Sequence, residues 1–150
     1  MIVRGRAETV TLDPEAGSVQ VTLSDVTVTD LADVRRDVEC AANAIGLDTS
    51  RARQFTLAVS EVAANALEHG EPPCTVTIRT RERELVVQVA DRGRGFTPTL
   101  SPIPQPAVEQ DRGRGLWLAQ QWADGLTIDN QRTGFTVTLT VGIVNTGRAG

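Results

Sequence analysis

Two stretches decide the fold: "ELVVQVADRGRGF", Glu84–Phe96, and "DRGRGLWLAQQWA", Asp111–Ala123. The string DRGRG stands in both, in different surroundings. The first copy follows a run of β-branched residues, so Asp91 falls at the exit of a strand, and Gly93 and Gly95 let the chain bend close to a ligand. The second runs directly into apolar residues at helical spacing. A helix is therefore predicted over about Gly115 to Ala123, with Gly113 and Gly115 placing bare backbone N–H groups at its N-terminus. A strand leaving through one glycine bend and a helix entering through another point to an α/β fold.

The chemistry of the two copies differs accordingly. The Asp91 carboxylate can accept a hydrogen bond from an exocyclic amine such as that of adenine. The helix start favours an anion, and Arg112 and Arg114 add charge toward a polyphosphate. Neither copy is a dinucleotide fingerprint, because Pro98 takes the third glycine position of the first and no helix follows it. Between them, residues 97–111 carry four prolines without periodicity and read as a long loop of the kind used as a lid.

Outward from this centre, "TVTIRT" and "ELVVQVA" form a hairpin across the charged turn "RERE", and "LTIDN" and "FTVTLTV" form two further strands. Upstream, Thr9–Leu12 and Ser18–Val28 alternate as two strands, or as one strand with a frayed partner. Leu31, Val34, Val38, Ala41, Ala42 and Ile45 mark a first helix stopped by Gly46. A second helix runs from about Arg51 to His69, capped by Thr49 or Ser50 and ended by Gly70 and Pro72. The sum is a two-layer α/β sandwich, with a mixed, mostly antiparallel sheet and three helices on one face. One domain is expected over residues 1–144, with a lid at about 97–112 and a disordered tail at 145–150.

On the second helix Phe55, Val59, Val62, Ala63, Ala66 and Leu67 make an apolar face, while Glu61, Asn65 and His69 share a polar stripe beside Leu57 and Glu68. A solvated face is the bland reading of such a stripe, but asparagine and a lone histidine are poor helix formers for that purpose. Glu61 and Asn65, about 6 Å apart along the axis, suit a proton-accepting carboxylate and an amide oxygen for a hard cation such as Mg²⁺. Glu61 and His69 are about 12 Å apart and cannot share a metal, and a zinc site of the HExxH type is excluded. His69 suits a helix end, where it meets the last carbonyls.

Composition narrows the functions. The chain has 150 residues, a formal charge of −4 and 40% hydrophobic residues, and its basic residues are fifteen arginines with no lysine. The absent lysine removes Walker A sites, ordinary protein kinases and Schiff-base chemistry. The acidic balance and 3% aromatic content argue against nucleic-acid binding, including an RG-type RNA-binding segment. No apolar run reaches the roughly 18 residues of a membrane span, and the N-terminus lacks secretory-signal character, so a soluble, cytoplasmic protein is expected. Cys40 and Cys74 match no ligand spacing and read as buried small hydrophobes.

Taken in order, "SEVAANALEHG", "VADRGRGF", the proline-rich loop and "DRGRGLWLAQQWAD" resemble the N, G1 and G2 boxes and the lid of the GHKL, or histidine-kinase-like, ATPases, whose fold is the Bergerat type. Within them the chain is most similar to the bacterial anti-sigma factor serine/threonine kinases, over about Asp30 to Val141. The resemblance implies ATP and Mg²⁺ as cofactors and assigns Glu61 as the general base or as the group that positions the attacking hydroxyl. It gives Asn65 to Mg²⁺, Asp91 to the adenine amine and Gly93 and Gly95 to the adenine pocket. Gly113 and Gly115 hold the phosphates, with Arg112, Arg114 and Leu116 in the same nucleotide-binding segment. It further implies inhibition of a sigma factor, phosphorylation of a STAS-domain antagonist, a homodimer and a place in stress-responsive transcription. A nucleotide-binding interaction module without turnover, and a switch kinase activating a phosphatase, are the alternatives. Many members place Thr directly after a glycine near the adenine, whereas here Phe135 follows Gly134 and Thr136 comes one step later. A one-residue offset switches faces of a strand.

Overall fold

The chain's architecture is seen in a computed structural model, which describes residues 8–13, 18–93, 111–131 and 134–143. Strands β1 (Glu8–Asp13) and β2 (Ser18–Leu23) precede helices α1 (Leu31–Ala44) and α2 (Thr49–His69). Then follow β3 (Thr75–Arg81), β4 (Glu84–Asp91), α3 (Asp111–Trp122), β5 (Gly125–Gln131) and β6 (Gly134–Gly142). The six strands form one open sheet in the order β1-β2-β3-β4-β6-β5. The sheet expected to be mostly antiparallel is antiparallel at every pairing.

Alternation along the strands builds the two layers. Val76, Ile78, Leu85, Val87, Val89, Val137, Leu139 and Val141 are buried, and the register sets them opposite one another, Val76 against Val89 and Val87 against Leu139. Their neighbours Thr75, Thr77, Gln88, Thr136 and Thr138 point to the other, more exposed face, as a period of two requires. The buried side meets Val34, Val38 and Ala42 of α1, Phe55, Val59 and Val62 of α2, and Leu116 and Ala119 of α3 in one apolar cluster. The two-layer α/β sandwich with its helices on one face is thus what these periodicities produce.

Helix α1 ends as its sequence predicts. Gly46 adopts φ +99°, a conformation that costs a side-chain-bearing residue. Its N–H donates to the Asn43 carbonyl at 3.0 Å, and that of Leu47 to Ala42 at 3.1 Å, which satisfies two orphan carbonyls of the last turn. The start of α2 differs from expectation: Asp48 is the cap, its carboxylate accepting from the Arg51 N–H at 2.8 Å, and Thr49 and Ser50 are already helical. Helix α3 begins at Asp111, four residues before the expected Gly115. β2 stops at Leu23, and the chain reaches α1 through a short 3₁₀ turn at Val28–Asp30.

Burial on α2 is wider than one face, since Ala52, Thr56, Ala58 and Ser60 are also buried. The helix is flanked by α1 and α3 as well as backed by the sheet. Cys74 is buried as expected, but Cys40 is exposed, because it lies two residues past Val38 and so about 200° round from the buried stripe of α1. The proline-rich lid segment from 97 to 110 and the tail at 145–150 lie outside the described residues; Asp111 and Arg112, expected at the lid's end, are helical.

Candidate functional site

Asp91 is the last residue of β4, and the register explains its company. Its partner across to β6 is Phe135. One step beyond the Thr75–Ala90 pair on the other side stands Cys74. Asp91 and Cys74 are both buried, at 6% and 2% exposure, and the alternation of the strands aims both toward the helical layer. A buried carboxylate needs hydrogen-bond donors. Two backbone amides meet its Oδ1: Gly93 N–H donates at 2.6 Å and Glu71 N–H at 3.4 Å. Burial first, and the negative charge of Asp91 second, push the Cys74 thiol up to about 11, so it stands beside the carboxylate as a neutral group at physiological pH.

The same contacts tie the strand exit to the end of α2. Besides the Glu71 amide on Asp91, the Arg92 N–H donates to the Glu71 carbonyl at 2.9 Å. Gly70 caps α2, its N–H bound to the Ala66 carbonyl at 2.8 Å. Asn65 thus lies five residues, or roughly 8 Å, back along the helix from Gly70, the neighbour of the residue that donates to Asp91. Glu61 lies one further turn back.

Glu61 and Asn65 are half-buried, and neither side chain makes a hydrogen bond or ion pair among the described residues. Next to Glu61, the buried Ser60 hydroxyl is engaged at 3.2 Å by the Arg35 guanidinium of α1. His69 is exposed, 3.7 Å from the Glu68 carboxylate, so the stripe passes from half-buried at Glu61 to solvent at its end.

Helix α3 packs against α2. Arg112, Gly113, Arg114 and Gly115 form its first turns, so the second glycine string is helical and does not precede the helix. Gly113 still falls in the turn whose amides lack intrahelical acceptors, while Gly115 stands in the next turn. Leu116 is buried in the apolar cluster, where it anchors this helix start. Gly95 lies outside the described residues.

Among the described residues no group of three or more His, Cys, Asp or Glu side chains is placed to hold a metal ion. The Asn65 amide oxygen is a donor of the kind that Mg²⁺ accepts singly, with its other ligands taken from phosphate and water. Thr136 pairs with Ala90 on the opposite face of the sheet from Asp91, and the buried Phe135 occupies the place beside it. The Thr136 hydroxyl thus stands on the face of the sheet away from the Asp91 carboxylate. Glu71 and Gly70 were not legible as site residues, because a backbone donor and a missing side chain leave no chemical mark in a sequence. Cys74 was legible only through register.

With this geometry in hand, comparison with known proteins adds two findings. Residues 24–141 match the family model described as histidine kinase-like ATPase domain. Over 95 residues the chain is 28% identical to the Signal transduction histidine-protein kinase AfsQ2 of Streptomyces coelicolor, an alignment covering 59% of this chain and 18% of that protein. The chain thus spans less than a fifth of the length of this relative. No described helix is long and apolar enough to cross a membrane.

Proposed function

Because the chain belongs to the histidine kinase-like ATPase domain family, we propose that it is an ATP- and Mg²⁺-dependent protein serine/threonine kinase that acts as an anti-sigma factor. In this reading it binds a sigma factor, works as a homodimer, and phosphorylates a STAS-domain antagonist. The observation that carries the catalytic part is the pair Glu61 and Asn65: half-buried, without side-chain partners among the described residues, on a helix whose end is bound to Asp91. Both side chains are open enough to solvent to meet a ligand, and no protein partner among the described residues competes for them.

Each residue then has a task. Asp91 accepts from the adenine amine and fixes the base. The first turn of α3, with Gly113 and the arginines Arg112 and Arg114, receives the phosphates. Asn65 offers the amide oxygen to the cation; when bound, Mg²⁺ neutralises phosphate charge. Glu61 orients the acceptor hydroxyl and takes its proton as that oxygen bonds to the γ-phosphorus and ADP leaves with the electrons of the broken bond. Positioning and charge neutralisation supply most of the rate in such transfers.

The test is transfer of labelled γ-phosphate from ATP to the cognate antagonist. Glu61→Ala is expected to bind ATP like the parent in calorimetry and to lose at least about 100-fold in transfer. Equal transfer by Glu61→Ala removes its catalytic role. ATP binding without any transfer by the parent protein favours a nucleotide-gated interaction module, and absence of ATP binding removes both readings.

A further inference from the structure

We infer that Gly70, at the end of α2, is a positioning residue for the Asp91 carboxylate, and through it sets the preference of the site for a base bearing an exocyclic amine. The inference rests on reading Asp91 as the contact to adenine.

The need for glycine at position 70 is one of space. Its backbone, φ −88° and ψ −167°, is open to any residue. A Cβ built there, however, falls 2.5 Å from both Cγ and Oδ2 of Asp91 and 2.6 Å from the Ala66 carbonyl oxygen. From the other side, a Cβ on Gly93 falls 3.0 Å from Oδ1, 3.1 Å from the Glu71 nitrogen and 3.3 Å from the Gly70 Cα. A third bare backbone, Gly134 at the start of β6, comes equally near the Asp91 main chain, its Cβ position 3.1 Å from the carbonyl oxygen. Glycines from three separate segments thus close on one residue. On the sides of Gly70 and Gly93 the carboxylate lies against bare backbone, and Glu71 N–H and Gly93 N–H fix its Oδ1 in that slot.

Backbone walls do not yield as a flexible side chain does. A methyl group at position 70 moves the carboxylate by roughly 1 Å before ordinary contact is restored, since a 2.5 Å approach lies well inside van der Waals distance. A hydrogen bond lengthened by that amount from about 2.9 Å is lost. The slot also has a mechanical meaning. Because its wall is the end of α2, the carboxylate that reads the base and the helix that carries Glu61 and Asn65 are held in one frame.

The experiment compares equilibrium binding of ATP and of purine riboside triphosphate, which lacks only the 6-amino group, to the full chain. The parent protein is expected to prefer ATP by about tenfold or more, the range of one hydrogen bond to a charged group. Gly70→Ala is expected to bring that ratio to about one, with affinity for purine riboside triphosphate within about twofold of the parent. In an Asp91→Ala background, Gly70→Ala is expected to leave the ratio where it was. Retention of the preference in Gly70→Ala, or equal loss for both nucleotides, overturns the inference and leaves the nucleotide site standing. If the parent binds neither nucleotide, or both equally, the reading of Asp91 fails and takes the inference with it. Should Gly70→Ala fail to fold, the double variant decides: recovery of a cooperative melting transition once the carboxylate is gone supports the slot. Failure of the double variant to fold shows that Gly70 serves the Ala66 carbonyl alone and overturns it.

Discussion

Thr56, in the middle of α2, is a buried residue whose hydroxyl finds no hydrogen-bond partner among the described residues. Four residues on, the Ser60 hydroxyl shows the alternative, reached by Arg35 from α1. An unsatisfied buried hydroxyl carries its desolvation cost without return, in the range of about 1–3 kcal/mol. Valine has nearly the same shape and no polar atom, so Thr56→Val is expected to raise stability by about 1 kcal/mol. The measurement is the urea midpoint, which should rise with an unchanged slope; a lower midpoint would mean that the hydroxyl has a partner in solution. The contrast with Glu61 and Asn65 lies in exposure. Those two also lack a side-chain partner among the described residues, but they are half-open to solvent, whereas Thr56 is closed off.

At the level of elements, legibility followed how few residues are able to do a given job. Gly46 was readable as a helix stop because a φ of +99° leaves almost no other choice. Asp48, Thr49 and Ser50 are three good caps in a row, and nothing in their letters says which is first. Asp48 wins, its carboxylate reaching the Arg51 amide. The start of α3 was misplaced because two glycines within five residues depress intrinsic helix propensity. Packing of α3 against α2 overrides that preference and extends the helix back to Asp111. The inner faces of β3, β4 and β6 follow the alternation of their residues, whereas β2 alternates poorly, and the one-residue offset noted at Thr136 sends it to the outer face and Phe135 to the side of Asp91. The close approach of Gly70 to Asp91 was not legible, since it joins residues twenty-one positions apart through backbone atoms and a missing side chain.

Over the whole molecule, the sequence holds neither lysine nor tyrosine, so few side chains compete with the Cys74 thiol in the alkaline range. Cys74, pushed from the ordinary 9.0 up to about 11 by burial and then by the Asp91 charge, retains its proton in the folded state where the unfolded chain releases it. The contribution of this thiol to stability is therefore full below pH 9, falls as pH rises from 9 to 11, and levels off above, by on the order of 2 kcal/mol in total. Urea midpoints across that window should show the fall, and Cys74→Ala should flatten it; an equal fall in that variant would place the titrating group elsewhere. The two thiols also differ in access, Cys40 open to solvent and Cys74 closed off near the Asp91 carboxylate. A thiol reagent is expected to consume Cys40 at once and Cys74 only during excursions that expose it, so the slow phase times the breathing of the slot. Saturating ATP should lengthen that phase, and an unchanged rate would place the nucleotide away from Asp91. The chain thus carries, at natural positions, a fast internal standard and a slow clock for the opening of its own pocket.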